Sequence, residues 1–173
     1  KNRFKEDYKD LNIIFLHRHP ADTAISHYKE LTTSGRSGAD DYNGTISDFI
    51  RSKTYGINKI IEYNNKWAEK GGNFNRFLVM SYYMLHKNPA ACLAAIAQTI
   101  EIPTNKECIQ DSIEYGSFEN MKKIEIGEGK NLLKHYKGNF GQGSGRVRVG
   151  KYNNYPNVLS KEDIEYVEEC MKN

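Results

Sequence analysis

Two short apolar runs, each followed by a polar turn and a helix-starting signal, constrain this chain more than any other feature. The first, Leu11-Asn12-Ile13-Ile14-Phe15-Leu16, lacks the alternation of a half-solvated strand and fits one buried on both faces of a parallel sheet. It ends in His17-Arg18-His19-Pro20. Pro20 suits the first turn of a helix, where its missing N–H leaves no bond unmade, and Asp22 suits the positive helix end. Ala21, Ala24, Ile25, Tyr28 and Leu31 then recur at helical spacing over 20–33. The second run, Phe77-Leu78-Val79-Met80, leads to Asn88-Pro89 as cap and first residue of a helix turning Cys92, Leu93, Ile96 and Ile100 inward. A strand-turn-helix unit used twice predicts an α/β fold, with a parallel sheet flanked by helices.

The remaining segments fit that layering. Ser34 to Gly44 reads as a surface loop, and Thr45-Ile46-Ser47-Asp48 as a capping box opening a short helix. Ile57, Ile60, Ile61, Trp67 and Ala68 form a second helical stripe that stops at Gly71-Gly72. Thr104-Asn105-Lys106-Glu107 is read as the cap of a helix reaching about residue 115. Ser160-Lys161-Glu162-Asp163 caps the last one, with Ile164, Val167 and Met171 on one face. Residues 126–150 stand apart, holding seven of the fourteen glycines together with Lys130, Lys134, Lys137, Arg146 and Arg148. With 173 residues, 38% hydrophobic and 12% aromatic, the chain is expected to form a single soluble domain over 1–173.

Charge and cysteine usage narrow the function classes. The net charge of +3 is too small to dictate a polyanionic partner, and only Tyr136 and Phe140 interleave the basic residues of 126–150. A nucleic-acid partner is therefore not expected. Cys92, Cys108 and Cys170 are widely spaced with no CxxC, which argues against a disulfide framework or zinc site and for a reducing, cytoplasmic setting. No metal is expected, because no carboxylate or histidine cluster has ligand spacing. The apolar runs fall short of the ~18 residues of a membrane span. Lys1 to Asp10 is charged from the start, without an initiator Met or signal-peptide core, so the chain reads as if cut from a longer one.

Ligands of open parallel sheets bind beyond the carboxyl ends of the strands, where helix N-termini present free N–H groups. Arg18 sits at that place and offers a bidentate fork to an anion, and Ser26 lies one turn beyond Asp22 on the same helix. Tyr82 occupies the equivalent end of the second strand, where a flat ring can stack on a base. The glycines and basic residues of 126–150 suit close backbone approach to phosphate. A nucleotide-kinase reading lacks its motif, since no G-x-x-x-x-G-K-[ST] occurs.

Taken in order, four segments resemble the cytosolic-type sulfotransferase family, whose sulfuryl donor is 3′-phosphoadenosine 5′-phosphosulfate (PAPS). IIFLHRHPADTAISHY (13–28) is similar to the family's 3′-phosphate-binding strand-turn-helix, which assigns that phosphate to Arg18 and Ser26. FLVMSYYMLHKNP (77–89) resembles the strand whose following tyrosine contacts adenine, here Tyr82. GSFENMKK (116–123) resembles a segment whose phenylalanine packs on adenine, here Phe118, supported by Met121. RVRVGKYNNYPNVLSKEDIEYV (146–167) resembles the loop closing over the 3′-phosphate, which implies Arg148 and the backbone of Gly150. Val149 stands where the family often has a second basic residue, and Lys151 is the compensating candidate. Gly116, Tyr155 and the pair Tyr83-Met84 also depart from the family's usual threonine, tryptophan and acidic residues.

The resemblance implies a P-loop nucleotide-hydrolase-like sulfotransferase fold, of which this chain is the C-terminal two-thirds, lacking the 5′-phosphosulfate loop and histidine base. It implies PAPS as co-substrate, no metal, and transfer to a small-molecule hydroxyl or amine. No catalytic residue is assigned. His17 and His19 are the nearest substitute bases, and they fit packing or anion donation better. The 34–56 and 124–145 stretches are the expected acceptor lining. The missing parts would come from a preceding segment or a partner chain, and without them the sheet would expose an edge and an apolar face. The alternative is a non-catalytic module binding adenosine 3′,5′-bisphosphate, or half of a two-chain assembly.

Overall fold

The computed structural model describes residues 10–33, 42–125 and 152–172. Strands β1 (Asn12–His17) and β2 (Arg76–Ser81) pair in parallel, from Asn12 opposite Arg76 to His17 opposite Ser81. Parallel neighbours need a long crossover. Here it carries α1 (Pro20–Thr33), α2 (Ile46–Arg51) and α3 (Ile57–Lys70). Beyond β2 follow α4 (Tyr82–Lys87), α5 (Pro89–Thr99), α6 (Lys106–Tyr115), α7 (Phe118–Glu125) and α8 (Lys161–Cys170). The α/β architecture with a parallel sheet is the one the two strand-turn-helix units predict.

Local chemistry sets the helix starts. Thr45 and Asp48 close the expected capping box of α2, and the Asn88 side chain accepts from the Ala91 N–H to start α5. The α6 start differs by one residue from the expectation: Asn105, not Thr104, is the cap, its side chain accepting from the Cys108 N–H at 2.8 Å. Asparagine is among the strongest N-caps, and the Thr104 hydroxyl is spent on the Asn105 carbonyl. Ser160 caps α8 as expected, but the Asp163 carboxylate turns toward α2, where the Ser47 hydroxyl donates at 2.8 Å and Arg51 forms an ion pair. Burial pushes the Asp163 carboxyl up, but the donors from Arg51 and Ser47 outweigh it and hold the carboxyl below its ordinary range.

The core lies among α1, α2, α3 and α8. Phe49, Ile50, Ile57 and Val167 are fully buried there with Ala21, Ala24, Ile25 and Leu159. A turn so tight separates α2 from α3 that a Cβ on Gly56 would collide with the backbone carbonyls of Ile50 and Ser52. The sheet is joined to α3 through aromatic stacking: Trp67 lies 5.8 Å from Phe15 and 6.4 Å from Phe77, with Phe74 5.8 Å from Phe77.

Two burial expectations are corrected. The first run is not buried on both faces among the described residues: Leu16 is 47% exposed and Val79 on β2 is 51% exposed. Only two strands are paired there, and an apolar run reports what a strand could bury rather than what covers it. Met171, expected on the inner face of the last helix, lies one residue past the end of α8 and is exposed, whereas Ile164 and Val167 do turn inward.

Candidate functional site

The register that aligns His17 with Ser81 brings the carboxyl ends of both strands side by side. β1 runs through a two-residue connection into α1 and β2 turns directly into α4, so Arg18 leaves the end of β1 beside Tyr82, the first residue of α4. Ser81 holds that second turn by accepting from the Met84 N–H at 3.1 Å. The Arg18 guanidinium carbon lies 4.7 Å above the Tyr82 ring, and its Nη2 is 3.5 Å from the Asp22 carboxylate. The cation is thus gripped by a ring and a carboxylate while its side chain remains 26% exposed.

Two clefts meet at Arg18. The larger, about 650 Å³, is lined by Arg18, Ser26 and Tyr82 together with Phe15, Lys59 and Tyr63. The smaller, about 420 Å³, is lined by Arg18, His17, His19, Asp22, Asn64 and Tyr83 among others. A guanidinium fork, an exposed hydroxyl and an aromatic ring around one cleft suit a ligand that is anionic at one end and flat at the other. Three of the sequence candidates, Arg18, Ser26 and Tyr82, are therefore brought together. Phe118 opens α7, under the Lys122 ammonium at 5.2 Å, and lines neither cleft. Arg148, Gly150 and Lys151 lie outside the described residues, as does the whole glycine-rich 126–150 segment, His135 included.

The sulfotransferase-domain family model matches residues 5–173. The chain belongs to the sulfotransferase family. It is 25% identical over 163 residues to cytosolic sulfotransferase 14 of Arabidopsis thaliana, a match covering 90% of this chain and 46% of that protein. Among solved structures it resembles mouse sulfotransferase SULT7A1 complexed with PAP, at a TM-score of 0.68, 18% identity, and coverage of 92% of this chain and 56% of that one. Retinol dehydratase in complex with androsterone and inactive cofactor PAP gives 0.70, 21%, 92% and 46%. These structural likenesses show the fold of a sulfotransferase. The chain spans about half the length of the relatives it matches. No helix among the described residues is long and apolar enough to cross a membrane.

Two residues of this sulfotransferase domain carry more of the site than sequence reasoning gave them. Asp22, read only as a favourable charge at a helix start, is 2% exposed and accepts three backbone N–H groups from residues 153–155. His19 stacks on Tyr155 with ring centroids 4.4 Å apart, and its Nδ1 accepts from the Ala21 N–H at 3.3 Å. Both partners lie more than 130 positions away in sequence or depend on a ring orientation. The only local signal was the pair Asn153-Asn154, since asparagine tolerates positive φ.

The His19 contact predicts a pH dependence. Burial pushes its pKa below the ordinary 6.5, against opposing pulls from Asp22 and Glu168, and the Nδ1 acceptor role requires a neutral ring. The unfolded chain therefore takes up a proton at a higher pH than the folded one, so stability falls as pH drops below about 6.5 and is unaffected above it. Melting curves at pH 7.5 and 5.5 should show a loss in wild type that is reduced in His19→Asn, which keeps a cap acceptor but does not titrate. An equal loss in both proteins would remove His19 as its source.

Proposed function

We propose that this chain is the part of a PAPS-dependent sulfotransferase that binds the adenosine 3′-phosphate portion of the donor, for transfer of the sulfuryl group to a small-molecule hydroxyl or amine. The observation that carries this reading is the meeting of Arg18, Ser26 and Tyr82 around one cleft at the carboxyl ends of two parallel strands. The donor set fits the donor molecule: a guanidinium fork and a hydroxyl for a phosphate, and an aromatic ring for a base. In this reading Arg18 and Ser26 hold the 3′-phosphate and Tyr82 lies against the adenine. Phe118, Arg148, Gly150 and Lys151 complete the nucleotide site on the strength of the family resemblance alone.

When bound, PAPS supplies the sulfuryl group, which passes to the acceptor oxygen or nitrogen as the acceptor gives up its proton and adenosine 3′,5′-bisphosphate is left. The contribution of these residues is to hold the leaving nucleotide in register, so that little motion is needed at the reacting centre. Neither the acceptor's base nor the grip on the 5′ end of the donor is assigned to any of these residues. A single domain and a cytoplasmic location complete the proposal, the latter supported by the relative named as cytosolic. No metal enters it.

A thermal-unfolding titration tests the reading. Adenosine 3′,5′-bisphosphate at 100 times its Kd should stabilise the fold by about 2.7 kcal/mol, and the same concentration of adenosine 5′-monophosphate by much less. Equal shifts, or none, would sink the 3′-phosphate site. A selective shift without sulfuryl transfer from PAPS to phenolic or amine acceptors would favour the non-catalytic module instead.

A further inference from the structure

Asp22 is placed where a carboxylate would seem least useful, against the cation that faces the cleft. Its Oδ2 accepts the Asn153 N–H at 2.7 Å, and its Oδ1 accepts those of Asn154 and Tyr155 at 3.1 and 3.0 Å. Asn153 has φ 53° and Asn154 is right-handed at φ −90°, ψ −6°. Consecutive residues of opposite hand point their N–H groups to one side and form an anion-binding nest. The nest here is filled by the side chain of Asp22, on the first turn of α1. The same carboxylate reaches Arg18 through Oδ2, at 3.5 Å from Nη2, while the Tyr82 ring closes the other side of the guanidinium.

We propose that Asp22 is the positioning residue of the 3′-phosphate site: clamped by the 153–155 nest, it fixes the direction of the Arg18 fork and ties it to the turn that precedes α8. The inference rests on the nucleotide reading above and adds to it a residue that does not touch the ligand. Three backbone donors hold the carboxylate in place, so the guanidinium next to it keeps one orientation instead of sampling several. A fork held in one direction meets a phosphate without first being ordered, and avoided ordering is what raises affinity in a preorganised site.

A double-mutant cycle on the ratio of adenosine 3′,5′-bisphosphate to adenosine 5′-monophosphate affinity decides the matter. In wild type the ratio should be high. Asp22→Asn keeps the shape but turns an amide donor toward the nest, and should lower the ratio by about tenfold or more, the scale of one charge-assisted hydrogen bond. Asp22→Glu, which retains the charge but moves it by one methylene, provides a second route to the same loss should the asparagine variant not fold. In an Arg18→Ala background neither change should lower the ratio further. A destabilised Asp22 variant with an unaltered ratio would reduce Asp22 to a structural tie and overturn the proposal. So would an equal loss with and without Arg18, or a gain in bisphosphate affinity, which would mark Asp22 as a competing anion. Should wild type itself show no preference, the nucleotide reading fails and this inference with it; a wild-type preference that Arg18→Ala removes and Asp22→Asn retains isolates the failure to Asp22.

Discussion

Arg18→Ala is expected to lower the affinity for adenosine 3′,5′-bisphosphate by about a hundredfold or more while leaving adenosine 5′-monophosphate binding within a few-fold of wild type. The magnitude follows from losing two charge-assisted hydrogen bonds of a planar fork, at roughly 1.5–3 kcal/mol each. It is selective because Arg18 lines the cleft together with Ser26, while the Tyr82 ring that would meet the base remains. Arg18→Lys should recover only part of the loss, since an ammonium is a point charge that neither forks nor stacks on Tyr82 in the same way. Calorimetric titration with the two nucleotides reads this directly, and equal weakening toward both would show that Arg18 supports the fold rather than the phosphate. The truncation also leaves the Asp22 carboxylate without its cation, so a modest fall in melting temperature should accompany the loss.

Phe49→Ala should destabilise the domain by about 3–5 kcal/mol, the range for deleting a fully buried aromatic ring. Phe49 is 0% exposed and sits at the centre of an aromatic cluster: Tyr42 at 5.0 Å, Tyr28 at 5.5 Å and His27 at 5.4 Å meet it edge-on, and Tyr55 stacks at 5.6 Å. Tyr28 and His27 belong to α1, so the cavity would open beneath the helix whose first turn carries Asp22. Rigid packing around four rings leaves little room for collapse, which places the cost toward the upper end. The melting temperature should fall by on the order of 10 °C. Below that transition the preference for the bisphosphate should persist, because Phe49 lines neither cleft. A fall of under 2 °C would mean that the cluster repacks or that Phe49 is less central than its burial indicates.

These two effects differ in how far they could be read before the structure. Arg18 was legible because the physics that places it is local: an apolar run, a proline and a helical stripe put an arginine at a strand end whatever surrounds it. Ser26 followed from helix spacing and Tyr82 from the second use of the same unit. Phe49 was not singled out, since one aromatic residue in a short helix looks the same whether it meets solvent or four other rings. Phe118 was assigned from resemblance alone; α7 packs next to α6, and the ring lines neither of the two clefts.

By itself, the sequence determined both strands and, in order, the helices α1, α2, α3, α5, α6 and α8, though not α4 or α7, together with most of the caps and the place of Arg18 at a strand end, because these depend on contacts within a few residues and on periodicities of two and 3.6. Tertiary structure alone decided what each of those groups faces. Asp22 was a favourable charge on a helix until the backbone of 153–155 folded around it, and Asp163 was a capping residue until Arg51 and Ser47 claimed its carboxylate. Leu16 was a core residue until the paired strands left it exposed. The physical reason is the same in each case: hydrogen-bond partners and burial are set by segments more than a hundred residues apart in sequence or by elements packed from outside the strand, and no local pattern encodes which of them arrives.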